Sequence, residues 1–139
     1  MKPTLVPGLT FSHTFTVTEA KTVPALYPES PDFAAMPAVF ATGFMVGFIE
    51  WACLLALKPH LDDGEGSLGV RIDVDHRAAT PPGMAVTAEV EVTAVEGRKV
   101  AFTVQVRDDA EIIAEGRHER VVADWDRFNA RLEKKAARR

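Results

Sequence analysis

Between Phe33 and Leu57 the chain carries a single charged side chain, Glu50, and no other stretch of the 139 residues restricts the fold so strongly. By length the segment could span a bilayer. A carboxylate near the middle of a span costs about 2.5 to 3.5 kcal/mol, Pro37 interrupts the start, and the rest of the chain alternates like half-exposed sheet. The segment therefore reads as a buried helix from about Val39, stopped by Lys58 and Pro59, and no membrane association is expected. The first 30 residues lack a basic start and an apolar stretch, so they do not read as a signal peptide.

Phe11, His13, Phe15 and Val17 alternate with Ser12, Thr14 and Thr16, which predicts a strand before the helix. A loop follows, marked by Pro24, Pro28, Pro31 and Pro37. Beyond the helix, Gly64 to Gly69 reads as a glycine-rich loop leading into four strands: Val70 to Arg77, Met84 to Val95, Lys99 to Arg107 and Glu111 to Ala123. Pro81-Pro82-Gly83, Glu96-Gly97 and Asp108-Asp109 supply the turns. Asp124 or Asp126 opens a short last helix with Trp125, Phe128 and Leu132 on one face. The expected α+β architecture is one domain over residues 1–139, an antiparallel four-stranded meander joined by the first strand and wrapped around the long helix. One sheet covers only one side of a helix that is apolar all round. A second copy of the chain is expected on the other side, as in a hotdog-fold homodimer.

Charge and cysteine content exclude several classes. A net charge of −4 lacks the basic footprint of a nucleic-acid binder, and Lys134, Lys135, Arg138 and Arg139 read as a solvated helix end. Cys53 has no partner for an intramolecular disulfide, which fits a reducing, cytoplasmic setting. Cys53, His60, His76 and His118 show no ligand spacing, so neither metal nor cofactor is expected. There is no nucleophile elbow of the Gly-x-Ser-x-Gly type. Gly64 to Gly69 spells GxGxxG but follows a helix and enters a strand, the reverse of a dinucleotide site.

Strand parity puts Val70, Ile72, Val74 and His76 on the face toward the helix, whose conspicuous polar side chains are Thr42 and Glu50. A buried carboxylate beside an imidazole suits general acid or base chemistry, although a lone inward histidine is more often structural, as His13 would be. Thr42 and Glu50 stand eight positions apart, about 12 Å along an ideal helix axis. Either His76 lies between them or a partner subunit brings one of them across the interface. Gly69 lets backbone amides approach a ligand carbonyl, or simply serves a tight turn. Arg120 is inward by parity on the last strand and needs an anionic partner: Glu50, an acidic ligand or another carboxylate. Arg71, Arg77, Arg98, Lys99, Arg107 and Arg117 fall outward or in turns and are candidates for binding phosphates.

Leu26-Tyr27-Pro28-Glu29-Ser30-Pro31, Ala41-Thr42-Gly43-Phe44-Met45-Val46-Gly47, Glu50-Trp51-Ala52-Cys53, Gly64 to Gly69 and His118-Glu119-Arg120 together resemble the fluoroacetyl-CoA thioesterase family of hotdog proteins over almost the whole chain. The resemblance implies a homodimeric hydrolase of short acyl-CoA thioesters, with fluoroacetyl-CoA the leading substrate and Thr42, Glu50 and His76 as its catalytic set. It also implies a hydrophobic lid of Val23, Leu26 and Phe33, with Met36 where the fluoroacetyl-selective enzyme has a phenylalanine. Met is flexible and lacks a rigid aromatic face, which loosens the lid and weakens selectivity for fluorine. Two routes suit these residues: direct hydrolysis at the carbonyl, or removal of the α-proton by His76 first. A binding protein without turnover, a thioesterase without fluorine selectivity, and an enoyl-CoA hydratase are the rival functions.

Overall fold

The computed structural model describes residues 1–139. Strand β1 (Thr10–Thr16) turns its alternate side chains His13 and Phe15 toward the core. The proline-rich segment, expected as loop, instead forms a 3-10 turn at Glu19–Lys21 and two one-turn helices, α1 (Val23–Leu26) and α2 (Pro31–Ala34). Each helix has a proline in its first turn, where a missing N–H costs nothing, and Ser30 Oγ accepts from the Phe33 N–H at 3.3 Å. The long helix α3 runs Thr42–Leu57 and starts later than Val39, because the chain before it is extended and bridged, Thr22 against Phe40.

Four strands follow, β2 (Glu65–Val74), β3 (Ala85–Glu96), β4 (Lys99–Asp108) and β5 (Ile112–Asp124), and then α4 (Trp125–Ala136). The sheet order is β1-β3-β4-β5-β2, all antiparallel. The expected four-stranded meander is thus corrected: only β3 to β5 meander, while β2 crosses to the far edge and pairs with β5. Gly64 to Gly69 is corrected as well, since all but Gly64 lies inside β2. Gly66 supports the flat seat of Trp125 from α4; a Cβ there would stand 2.0 Å from Trp125 Cζ2. Asp124 caps α4 by accepting from the Arg127 N–H at 3.1 Å.

Of three register shifts in the sheet, those in β2 and β5 move site-side residues off the parity that a strict period of two predicts. In β2 the register moves between Gly69, opposite Arg120, and Arg71, opposite Glu119. Ser67 and Gly69 therefore share the helix-facing side with Ile72 and Val74, and Val70 falls on the bulge. In β5 the shift opposite Val106 and Arg107 buries Ile113 completely and leaves Ile112 exposed, although strict alternation would put Ile112 on the inward side with Arg120. Ala114, His118 and Val122 face inward with Arg120, as alternation from Arg120 requires.

The core forms where Met45, Phe48, Ile49, Ala52, Cys53 and Leu57 of α3 meet the inner side chains of the sheet. Glu50 stands beside that stripe, against β2 and β5, and Thr42 begins the helix near the end of β2. On its other side α3 leaves Trp51 45% and Leu54 42% exposed, and the β2 edge leaves Val70 55% and Ile72 41% exposed. Thr42–His60 is long and apolar enough to cross a membrane by composition, yet its buried face lies against this sheet.

Candidate functional site

The polar groups of α3 form two separate clusters. Thr42, the first residue of the helix, is exposed and makes no capping bond; its Oγ1 lies 2.7 Å from His76 Nδ1. His76 sits just beyond the last residue of β2 rather than within a strand. Its Nε2 is buried and meets no protein partner. Burial pushes the imidazole below 6.5, against smaller upward contributions from the Ala78 backbone and the Asp75 charge, so the ring favours its neutral form.

Two helical turns along, Glu50 Oε2 accepts from Arg120 Nη1 at 2.8 Å. Arg120 is buried, and Glu50 keeps about a third of its side chain open. The carboxylate faces a shallow pocket of about 290 Å³ with Val46, Gly69, Val70, Ile72 and His118 in its wall. Gly69 makes this approach possible: a Cβ there would stand 2.7 Å from Glu50 Oε2. Of the partners considered for Arg120, the structure selects Glu50 of the same chain. No hydrogen bond or ion pair joins Glu50 to Thr42 or His76. His76 therefore does not bridge the other two by hydrogen bonds, and within one chain the three residues form no single bonded network.

The segment expected as a lid covers the start of α3. Leu26 lies over Gly43, where a Cβ would be 3.2 Å from Leu26 Cδ1, and Phe33 stacks on Tyr27 with ring centroids 5.8 Å apart. Val23, Leu26 and Phe33 are half-buried, whereas Met36, just past α2, is 47% exposed. His13 packs edge-on against Trp51 at 4.1 Å and takes no part in either polar cluster.

Of the six outward cations, Arg77, Arg98, Lys99, Arg107 and Arg117 each pair with a carboxylate. Arg71 alone pairs with none, and it borders the Glu50 pocket. A concavity of about 910 Å³ lies on the outer face of the sheet around Ser12, Glu89, Gln105 and Arg117, and none of Thr42, Glu50 and His76 lines it. Burial pushes the Cys53 thiol up to about 12, so it offers no nucleophile, and no cluster of metal-ligating side chains occurs.

Ser67 and His118 are not among the site residues that the sequence indicates. Both bond the Arg120 guanidinium, Ser67 through Oγ and carbonyl, His118 through Nε2. The available signal was the shared parity of His118 and Arg120 on β5, which places two inward polar side chains side by side.

The family model for fluoroacetyl-CoA-specific thioesterase matches residues 17–126. The chain belongs to that family. The fluoroacetyl-CoA thioesterase of Streptantibioticus cattleyicolor is 51% identical over 135 residues, 97% of each chain. A solved structure of a fluoroacetyl-CoA thioesterase, a threonine-to-alanine variant in complex with fluoroacetate, superposes with a TM-score of 0.91 at 51% identity, covering 93% of this chain and 97% of that one. A thioesterase superfamily member from Thermus thermophilus is 26% identical with a TM-score of 0.87, over 99% of this chain and 97% of its own. The sheet wrapped on a long helix is thus the hotdog fold of the thioesterase superfamily, here in the fluoroacetyl-CoA-specific family.

Proposed function

We propose that this protein hydrolyses fluoroacetyl-CoA to fluoroacetate and CoA, and that it does so as a cytoplasmic homodimer with no cofactor. The observation that carries the reading is the 2.7 Å contact between Thr42 Oγ1 and the neutral-favouring His76 in a chain of this family. Thioester hydrolysis adds water to the carbonyl carbon, breaks the C–S bond and returns a proton to sulfur. Glu50 activates the water or attacks the carbonyl itself, Thr42 holds the reacting oxygen, and His76 moves the proton. Val23, Leu26, Phe33 and Met36 cover the acyl group, and unpaired Arg71 meets a CoA phosphate. The Gly69 backbone faces the developing oxyanion, and Arg120 holds Glu50.

Release of free CoA thiol from fluoroacetyl-CoA and acetyl-CoA, beside a His76→Ala variant, tests the activity. Preferential turnover of the fluorinated substrate, with turnover abolished in His76→Ala, is the expected result. Equal turnover of both removes the selectivity, and tight binding without thiol release replaces hydrolysis with binding.

The separation of Glu50 from Thr42 and His76 supports a site completed across two copies, joined where Val70, Ile72, Trp51 and Leu54 leave apolar surface uncovered. Mixing Thr42→Ala and Glu50→Gln chains by co-expression tests this. A shared site recovers about a quarter of parent activity, since half of random dimers are mixed and each mixed dimer holds one intact site. A site confined to one chain recovers none.

A further inference from the structure

Glu50 is held by one guanidinium, and that guanidinium is itself held on several sides. Arg120 Nε donates to Ser67 Oγ at 2.8 Å and Nη2 donates to the Ser67 carbonyl at 3.0 Å. Nη1 donates both to Glu50 Oε2 at 2.8 Å and to His118 Nε2 at 3.0 Å. The other ring nitrogen, His118 Nδ1, lies 2.7 Å from the Arg71 carbonyl. A carbonyl oxygen only accepts, so Nδ1 carries the proton; a guanidinium only donates, so Nε2 carries a lone pair. Both contacts require the same neutral tautomer, in a side chain with 2% of its surface exposed.

We propose that His118, as the neutral Nδ1–H tautomer, is a positioning residue that holds Arg120 against Glu50 and thereby aims the carboxylate into the pocket, and that protonation of His118 breaks this arrangement. The inference rests on Glu50 acting on the thioester, as argued above. A proton on Nε2 would set N–H against N–H and positive charge against positive charge, so Arg120 must swing away and release Glu50.

The surroundings favour the neutral ring. Burial holds His118 below 6.5 and the Arg120 charge adds to this, while the Arg71 carbonyl, Glu50 and Glu119 act in the opposite sense. From α3, Cys53 also lies within the field of Arg120 and Glu50, but its thiol stays protonated. The cross-strand neighbours of His118 are Phe102 on β4 and Ile72 on β2, neither of which titrates. His76 bonds Thr42 and makes no hydrogen bond or ion pair with these groups.

Two variants separate positioning from mere packing. His118→Gln offers Oε1 as an acceptor to Arg120 Nη1 but cannot titrate; His118→Leu fills the space and offers none. With fluoroacetyl-CoA near about pH 8, the Leu variant is expected to lose about 100-fold in kcat with KM within a few-fold, and the Gln variant to keep near-parent kcat. Below neutrality the parent loses activity through two protonations, at His76 and His118. The Gln variant loses it through one, so the limiting slope of log kcat against pH falls from about two to about one. Parent-like kcat in the Leu variant, equal losses in both variants, or an unchanged slope overturns the proposal.

The tautomer is read without turnover from the ring 15N shifts of the parent, with His118→Gln used for assignment. Protonated Nδ1 and bare Nε2 are expected, and a proton on Nε2 at about pH 8 overturns the proposal whatever the activity. If the parent releases no thiol from either substrate, the thioesterase reading has failed. The clamp is then judged by the Arg120 Nε–H signal, protected in parent and Gln variant and lost in the Leu variant, and equal protection in all three overturns it.

Discussion

At Gly69 an added Cβ would meet Glu50 Oε2 at 2.7 Å and His118 Cε1 at 3.2 Å, so the absence of one side chain determines where another can stand. Gly69→Ala is expected to displace the Glu50 carboxylate and cut kcat by about 100-fold. Its thermal midpoint should change little, because the surface beside it is open. Steady-state kinetics set beside a melting curve check this; a parent-like kcat would mean that Glu50 tolerates another position. The inward side of Arg120, and Glu50 as a possible partner, were legible from parity and from the isolation of one carboxylate in an apolar helix. The close packing of Gly69 on Glu50 was not, because contact between residues 19 positions apart depends on the bulge that follows Gly69.

Strand β2 shows how an element can be recognised by its end and mistaken at its start. Its alternating second half reads as strand, but its first half, Glu65 to Gly69, has the composition of a turn. Those glycines serve neighbours instead of bends, since Gly66 is covered by the indole of Trp125. Gly66→Val should therefore lift α4 from the sheet and cost about 1 to 3 kcal/mol, while β2 to β5 remain paired. Trp125 fluorescence should shift to the red before the far-ultraviolet signal of the sheet is lost; simultaneous loss would show that α4 is integral to the sheet's cooperativity. The same locality explains the strand-order correction. Hydrophobic periodicity identifies strands one at a time, whereas the crossing of β2 to the edge beside β5 is a long-range pairing that no local pattern records.

Across the whole molecule, His76 and His118 are both held below 6.5 by burial, so the unfolded chain binds more protons than the folded one just below that pH. Folding stability should therefore be fully present above about pH 6.5 and fall as the pH drops through the two depressed values. Thermal midpoints at about pH 7.5 and about pH 5.5 measure this, with the lower midpoint expected in acid and a smaller difference in His118→Gln. Equal midpoints would show that neither ring is kept neutral by the fold. The wrap of sheet on helix was legible because an almost uncharged helix demands cover on every side. The two-cluster arrangement was legible only as a choice between one chain and two, which helical geometry poses and a single sequence leaves open. The distance between Thr42 and Glu50 also bears on how much protein a cell must make. Under the proposed sharing, output at low expression rises with the square of chain concentration, because each working centre needs two molecules to meet. Halving the supply of chain then removes about three quarters of the activity, so protection against the fluorinated thioester would have a threshold set by dosage.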